Sequence, residues 1–247
     1  MKNVLITGGT SGLGLQLMKD YLDIGYNVIS ISRNAEKISN IKKQLQNDKA
    51  TFICEDVSNI DTTANLAEVI SPHFNKLDIL INNAGIIHPG GIEKIETAQW
   101  NEMININLTS VFAITKALLP FLKKSECANI VNVSSISSKM TGSSIAYSVA
   151  KAAIDMMTQS LAKDLAQYGI RVNSVNPGMM DTGFQVSNGL IKPADYDDFL
   201  SKVGTTYPLG IGSAIDVSNL IMFITSDKAK WITGSNYIID GGRSVNI

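Results

Sequence analysis

Short runs of Val, Ile and Leu alternate with longer stretches of helical periodicity from one end of the chain to the other. Val4–Thr7, Val28–Ser32, Thr51–Cys54, Asp78–Asn82, Asn129–Val133, Arg171–Asn176 and Tyr237–Asp240 read as strands. They are rich in branched residues and mostly lack the apolar–polar alternation of a half-exposed strand, which predicts burial on both faces. Between them the spacing predicts helices over Gly12–Gly25, Ala35–Gln46, Asp61–Phe74, Thr97–Lys124, Ala146–Tyr168 and Ala214–Thr225. Thr97 and Asp216 suit cap or first-turn positions. Pro120 is expected to kink or shorten the end of its helix.

This β-α alternation predicts an α/β fold, a doubly wound, parallel, seven-stranded sheet with helices on both faces. No linker divides residues 1–247, so one domain is expected. Ligands of such sheets bind beyond the carboxyl ends of the strands, where strand order reverses. The one irregular stretch, about 179–212, holds Gly183, Gly189, Pro193, Gly204 and Pro208 and reads as a substrate flap with one or two short helices.

Composition narrows the partners. The chain has 247 residues, 45% of them hydrophobic, enough for a substantial core. A net charge of −1 gives no basis for binding nucleic acid or an anionic membrane. The apolar runs are strand-sized, short of the ~20 residues of a membrane span. Val4-Leu5-Ile6 is too short for a secretory signal, so a cytoplasmic location is expected. Cys54, in a strand, is expected to be a buried, inert thiol, and Cys127 to be peripheral, with no disulfide between them. His73 and His88 offer no metal cluster, so no metal is predicted.

Two segments carry chemistry. Thr7-Gly8-Gly9-Thr10-Ser11-Gly12-Leu13-Gly14 follows the first strand and opens the first helix. Gly8 permits a tight turn, Gly12 a close approach to a pyrophosphate, and Gly14 close helix–strand packing. The helix amides then face the phosphates. Far downstream, Tyr147 and Lys151 stand four residues apart, one above the other on a helix. A free phenol titrates near pH 10, and a neighbouring ammonium is expected to lower that value. A nucleotide site beside a tunable proton donor points to nicotinamide-dependent redox chemistry at a carbonyl or alcohol carbon.

With these motifs in order, the chain resembles the short-chain dehydrogenase/reductase family, in its single-domain branch. Thr7–Gly14 fits TGxxxGxG, Asp56-Val57 the adenine-contacting pair, Asn82-Asn83-Ala84-Gly85 NNAG, and Tyr147–Lys151 YxxxK. Asn107 fits the catalytic asparagine, Pro177-Gly178 with Thr182 fits PGxxxT, and Asp240-Gly241-Gly242 fits the closing DGG. The resemblance implies a Rossmann fold and a cofactor held by Gly8, Ser11, Gly12, Leu13, Gly14, Asp56, Val57, Asn83, Ala84, Gly85, Tyr147, Lys151, Pro177, Gly178, Met180 and Thr182. It implies catalysis by Asn107, Ser135, Tyr147 and Lys151, with Tyr147 as proton donor in reduction. Two serines compete. Strand register favours Ser135, whereas the family's commoner spacing to tyrosine fits Ser134. Ser137, Ser138, Ser143 and Ser144 read as loop polarity, and Asn105 as a structural group.

At the end of the second strand stands Ser32-Arg33-Asn34 rather than a carboxylate. A hydroxyl and a guanidinium suit a 2′-phosphate, so NADP(H) is expected over NAD(H). Met140, Ile145, Met179, Met180, Phe184 and Tyr207 are expected to line an apolar substrate cavity. His88 is either a pocket wall or a surface-loop residue. The expected substrate is a small ketone, aldehyde or alcohol. The nearest subgroup is the 3-oxoacyl-carrier-protein reductases, but Glu126 and Tyr168 stand where those enzymes carry basic docking residues. A 3-oxoacyl thioester is therefore one substrate class among others, and a nucleotide sensor or scaffold without turnover is the competing reading. The resemblance also implies a homotetramer built on the helices at about Thr97–Lys124 and Ala146–Tyr168, which a monomer mass in sedimentation would refute.

Overall fold

Leu5 points to one side of the sheet and its neighbours Val4 and Ile6 to the other, and both sides are dry. The computed structural model describes residues 1–59, 63, 65–142 and 144–245. Its strands are β1 (Asn3–Thr7), β2 (Asn27–Ser32), β3 (Ala50–Cys54), β4 (Ile79–Asn82), β5 (Asn129–Val133), β6 (Arg171–Pro177), β7 (Met180–Asp181), β8 (Gly212–Ser213) and β9 (Asn236–Ile239). Seven of them form a parallel sheet in the order β3-β2-β1-β4-β5-β6-β9. The order reverses between β1 and β4, and the glycine turn leaves β1 at that crevice.

The helices are α1 (Gly12–Asp23), α2 (Ala35–Leu45), α3 (Leu66–Ile70), α4 (Thr97–Ile104), α5 (Ser110–Leu122), α6 (Ile145–Leu165), α7 (Phe184–Ser187), α8 (Tyr196–Gly204) and α9 (Ala214–Thr225). On one face of the sheet, Leu5, Ile29, Leu80, Ile130 and Val172 meet Ile114, Leu118 and Leu165 of α5 and α6. On the other, Val4, Ile6, Val28, Ile81 and Val175 meet Leu17 and Met18 of α1 and Val217 and Ile221 of α9. The period-2 side-chain directions of strands buried on both faces thus build two cores from one set of strands. The doubly wound, seven-stranded fold expected from the sequence is the fold observed.

Several elements depart from expectation. Thr97–Lys124 is not one uniform helix: a π-helical turn, Asn105–Thr109, separates α4 from α5. Two side chains there compete with the backbone ladder. Asn107 Nδ2 donates to the Met103 carbonyl at 3.0 Å, and Ser110 Oγ to the Ile106 carbonyl at 2.7 Å. Pro120 is carried inside α5, which continues to Leu122. By length and apolar content the rod from Thr97 to Leu122 could cross a bilayer, but Met103, Ile114 and Leu118 are buried within the protein. Cys54 is exposed, not buried, because it ends β3 at the edge of the sheet. The predicted helix Asp61–Phe74 is represented by α3; positions 60–62 and 64 lie outside the described residues, as does Ser143. The flap begins and ends on a two-stranded parallel ribbon, β7 with β8, that no hydrophobic pattern announced. It holds α7 and α8, as the stretch 179–212 was expected to hold short helices.

Candidate active site

Three glycine positions show why the turn after β1 tolerates nothing larger. Gly8 has φ +74°, a left-handed backbone that costs a side-chain-bearing residue energy. A Cβ on Gly14 would lie 2.2 Å from the Gly8 carbonyl oxygen, and one on Gly9 would lie 2.5 Å from Ser30 Oγ. The turn therefore lies hard against β2 and the start of α1. Ser11 precedes α1 in extended geometry without a side-chain capping bond, so the first-turn amides are left for a ligand, as an anion site requires. The turn is tied to β4 through Thr7, whose Oγ1 accepts the amides of Asn83 and Ala84, both at 3.0 Å. Asn83 Nδ2 closes the link by donating to the Thr7 carbonyl at 2.9 Å.

A cleft of about 1390 Å³ runs across the carboxyl ends of the strands. At one end it is lined by Ser32, Arg33, Lys37, Asp56 and Val57, in the middle by Gly8, Ser11, Gly12, Leu13, Asn83, Ala84 and Gly85, and at the far end by Ser135, Tyr147, Lys151, Pro177, Gly178, Met180 and Thr182. The expected cofactor residues thus converge on one cleft, apart from Gly14, which is packed behind the turn. Lys37 was not singled out in the sequence, though its place in the first turn of α2 beside Arg33 is a usable signal. Among the described residues, Gln185 Oε1 is buried at the cleft wall with no hydrogen-bond partner.

Ser144 caps α6 by accepting the Tyr147 amide at 3.3 Å, which sets Tyr147 in the first turn and Lys151 one turn on. The two serines at the end of β5 part company. Ser134 Oγ donates to the Lys151 carbonyl at 3.1 Å and braces the helix. Ser135 Oγ accepts the Ser137 amide at 3.1 Å, and its hydroxyl lies on the side of the phenol, where it draws the Tyr147 pKa down. Strand alternation thus gives Ser135, not Ser134, to the phenol. Lys151 is buried, and its Nζ donates to the Val133 carbonyl at 2.7 Å while lying 5.4 Å from the Tyr147 ring centre.

The expected lowering of the phenol's pKa is not seen in the free protein. Burial pushes Tyr147 up to about 12, and the Ser135 hydroxyl offsets only part of that. Burial lowers Lys151 to about 8, against the pull of Asp155. The desolvated amine, spent on a backbone carbonyl, does not outweigh the phenol's own burial.

Asn107 sits behind the cleft rather than in its wall. Its Oδ1 accepts the Ile86 amide at 3.1 Å, and its Nδ2 donates to the Ile86 carbonyl at 3.0 Å. A Cβ on Gly85 would meet Asn107 Oδ1 at 2.7 Å, so the pair fixes the floor beneath Lys151. Asn105 is structural, donating to the Ser58 carbonyl at 2.8 Å. Of the expected pocket residues, Met140, Met179, Met180, Phe184 and Tyr207 line the cleft. Ile145 does not: the start of α6 turns it outward. His88 pairs with Glu102 at 2.8 Å, outside the cleft lining.

Asp155, one turn beyond Lys151, escaped notice in the sequence, although an acid on the buried stripe of a helix was the available signal. It accepts from Ser138 Oγ at 2.7 Å, Asn176 Nδ2 at 2.9 Å and Lys139 Nζ at 3.0 Å, joining α6, β6 and the loop after Ser135. Burial pushes its pKa up, but the bonds from Ser138 and Lys139 outweigh that and hold it below the usual 3.8. A depressed carboxylate adds stability above its unfolded pKa, and that stability is lost as pH falls through the folded value. Wild-type protein is therefore expected to lose thermal stability on acidification below about pH 4 more steeply than Asp155→Asn does, read by melting temperature against pH.

Comparison with known proteins agrees with this geometry. A family model described as short chain dehydrogenase matches residues 2–190. The 2,5-dichloro-2,5-cyclohexadiene-1,4-diol dehydrogenase LinX of Sphingobium indicum is 35% identical over 100% of this chain and 97% of its own. The 3-oxoacyl-[acyl-carrier-protein] reductase FabG of Salmonella typhimurium is 30% identical over 98% of this chain and 96% of its own. ElxO, solved with NADP bound, superposes with a TM-score of 0.89 at 32% identity, over 99% of both chains.

Proposed function

The chain belongs to the short-chain dehydrogenase family, and from that premise we propose that it is an NADP(H)-dependent oxidoreductase reducing a ketone or aldehyde to an alcohol, or running the reverse. The observation that carries this reading is that Ser135, Tyr147 and Lys151 come together at the end of a cleft that starts from the glycine turn. A sensor that kept the fold without turnover gains no support from relatives named for dehydrogenase and reductase activities.

The residues fit a dinucleotide. The open amides of α1 would hold the pyrophosphate, Asp56 and Val57 the adenine, and Asn83, Ala84 and Gly85 the sugar beyond it. Pro177, Gly178, Met180 and Thr182 would hold the nicotinamide, which supplies the hydride when bound. Tyr147 gives the proton to the substrate oxygen, Ser135 orients that oxygen, and Lys151 would hold the ribose of the bound cofactor. Asn107 positions the Gly85–Ile86 segment under Lys151. The test of turnover is direct: purified protein with NADPH and a panel of carbonyls is expected to consume NADPH. Binding of NADPH with no consumption on any carbonyl would sink the reading.

The preference for NADP(H) rests on the end of β2, where Ser32 is followed by an exposed Arg33 and by Asn34 rather than by a carboxylate, with Lys37 in the same cleft wall. ElxO, an NADP complex, supports it. Replacing Arg33 by Ala removes a fork suited to a 2′-phosphate, which is a charge-assisted contact. The KM for NADPH is expected to rise roughly 10- to 100-fold, with that for NADH nearly unchanged. Steady-state kinetics with both cofactors checks this; equal changes in the two KM values would refute the assignment.

A further inference from the structure

Charge divides the cleft into two unlike halves. Its only acidic lining residues among those described are Glu55 and Asp56, both at the end beside β2 and β3. Past Tyr147, the wall is mostly apolar, with Met140, Phe184, Phe199 and Val203 among it, and its two charged groups are Lys202 and Arg243. Lys202 lies on α8, exposed at the rim of the cleft and three residues on from Phe199. Arg243 follows β9, immediately after the closing Gly241-Gly242.

Arg243 is half-buried, with its guanidinium 5.9 Å from the ring centre of Tyr207. Tyr207 is itself part of the wall: its hydroxyl accepts the Met179 amide at 3.0 Å, and its ring backs Gly178. The carboxylate closest in sequence is Asp240, and it is spent elsewhere. Its Oδ1 accepts the Gly242 amide at 3.0 Å and its Oδ2 the Ser244 amide at 2.7 Å. Among the described residues Arg243 has no ion pair and no side-chain hydrogen bond, only the ring of Tyr207. A partly desolvated guanidinium with five unused donors, set in an apolar wall, is built for a carboxylate arriving from outside.

We propose that the substrate is an oxo acid, its carboxylate received by Arg243 with Lys202 at the opening and its carbonyl presented to Tyr147; this rests on the reductase reading above. The carbonyl carbon takes the hydride of NADPH, the oxygen takes a proton from Tyr147, and NADP⁺ and a hydroxy acid leave. The carboxylate passes through unchanged. The apolar residues that share the cleft with Tyr147 and Arg243 accept the methylenes that separate the two groups.

The experiment compares linear oxo acids of increasing chain length with their methyl esters, using NADPH and the full chain. The acids are expected to exceed their esters in kcat/KM by roughly 10- to 100-fold at the best length. In Arg243→Ala this ratio is expected to fall toward one, mainly through KM for the acid, and in Arg243→Lys to remain intermediate, because a lysine keeps charge without the fork. Circular dichroism of each variant confirms that the fold is retained. Esters or neutral ketones turned over as well as acids, or an unaltered ratio in Arg243→Ala, would overturn the proposal while leaving the reductase reading intact. Failure to consume NADPH on any carbonyl, whether acid, ester or ketone, would remove both.

Discussion

Tyr147→Phe is expected to lower kcat about 10²- to 10⁴-fold, the span that a positioned proton donor contributes, while NADPH binds nearly as in the wild type. The separation of the two effects follows from what the substitution keeps. The ring remains to pack with Ile86, Met103 and Ile106 and to lie beside Lys151. Only the hydroxyl that faces Ser135 is lost. Fluorescence titration with NADPH and steady-state turnover on any accepted carbonyl give the two readouts. Unchanged turnover in Tyr147→Phe would show that the proton comes from elsewhere.

The titration of the site gives this result a direction. With the phenol raised to about 12, Tyr147 is protonated across the neutral range, the state that reduction needs. Oxidation of an alcohol needs the phenolate, and the population of that form rises with pH. Reduction is therefore expected to hold a plateau near neutrality while the reverse rate climbs on the alkaline side, and Tyr147→Phe is expected to flatten that climb.

What could be read in the chain before any coordinates was what depends on local pattern. Val4-Leu5-Ile6 and Asn129–Val133 announce strands because burial on both faces leaves no polar alternation, and Gly8, Gly12 and Gly14 announce a turn because few other residues fit it. Tyr147 and Lys151 met because helical spacing alone brings i and i+4 together. What could not be read depends on partners distant in sequence. At the π turn, Asn107 is held to the Ile86 segment, 21 residues upstream. Asp155 acquires its role only when Ser138 and Asn176 fold over it. Cys54 looked like core because its strand is apolar; that β3 lies at the sheet edge is topology, which its own pattern does not carry. The lone guanidinium of Arg243 is visible only once Asp240 is found to be engaged.

Gly14→Ala tests the other half of the site, through cofactor affinity and stability rather than through turnover. The added methyl would lie 2.2 Å from the Gly8 carbonyl oxygen and 2.7 Å from Asn83 Nδ2. The first neighbour is backbone, and it cannot rotate away as the end of a flexible side chain would. The second is held by its bond to the Thr7 carbonyl. Relief therefore requires α1 to lift from the sheet or the turn to open, and overpacking of this kind costs about 1–3 kcal/mol or more. Either movement displaces the α1 amides from the pyrophosphate position. NADPH affinity is expected to fall by roughly 5- to 150-fold, together with a lower melting temperature of the free protein. Calorimetric titration and thermal melts read the two separately. A melting temperature at the wild-type value would mean that the turn yields without strain, and then Gly14 would not be what seats α1 against β1.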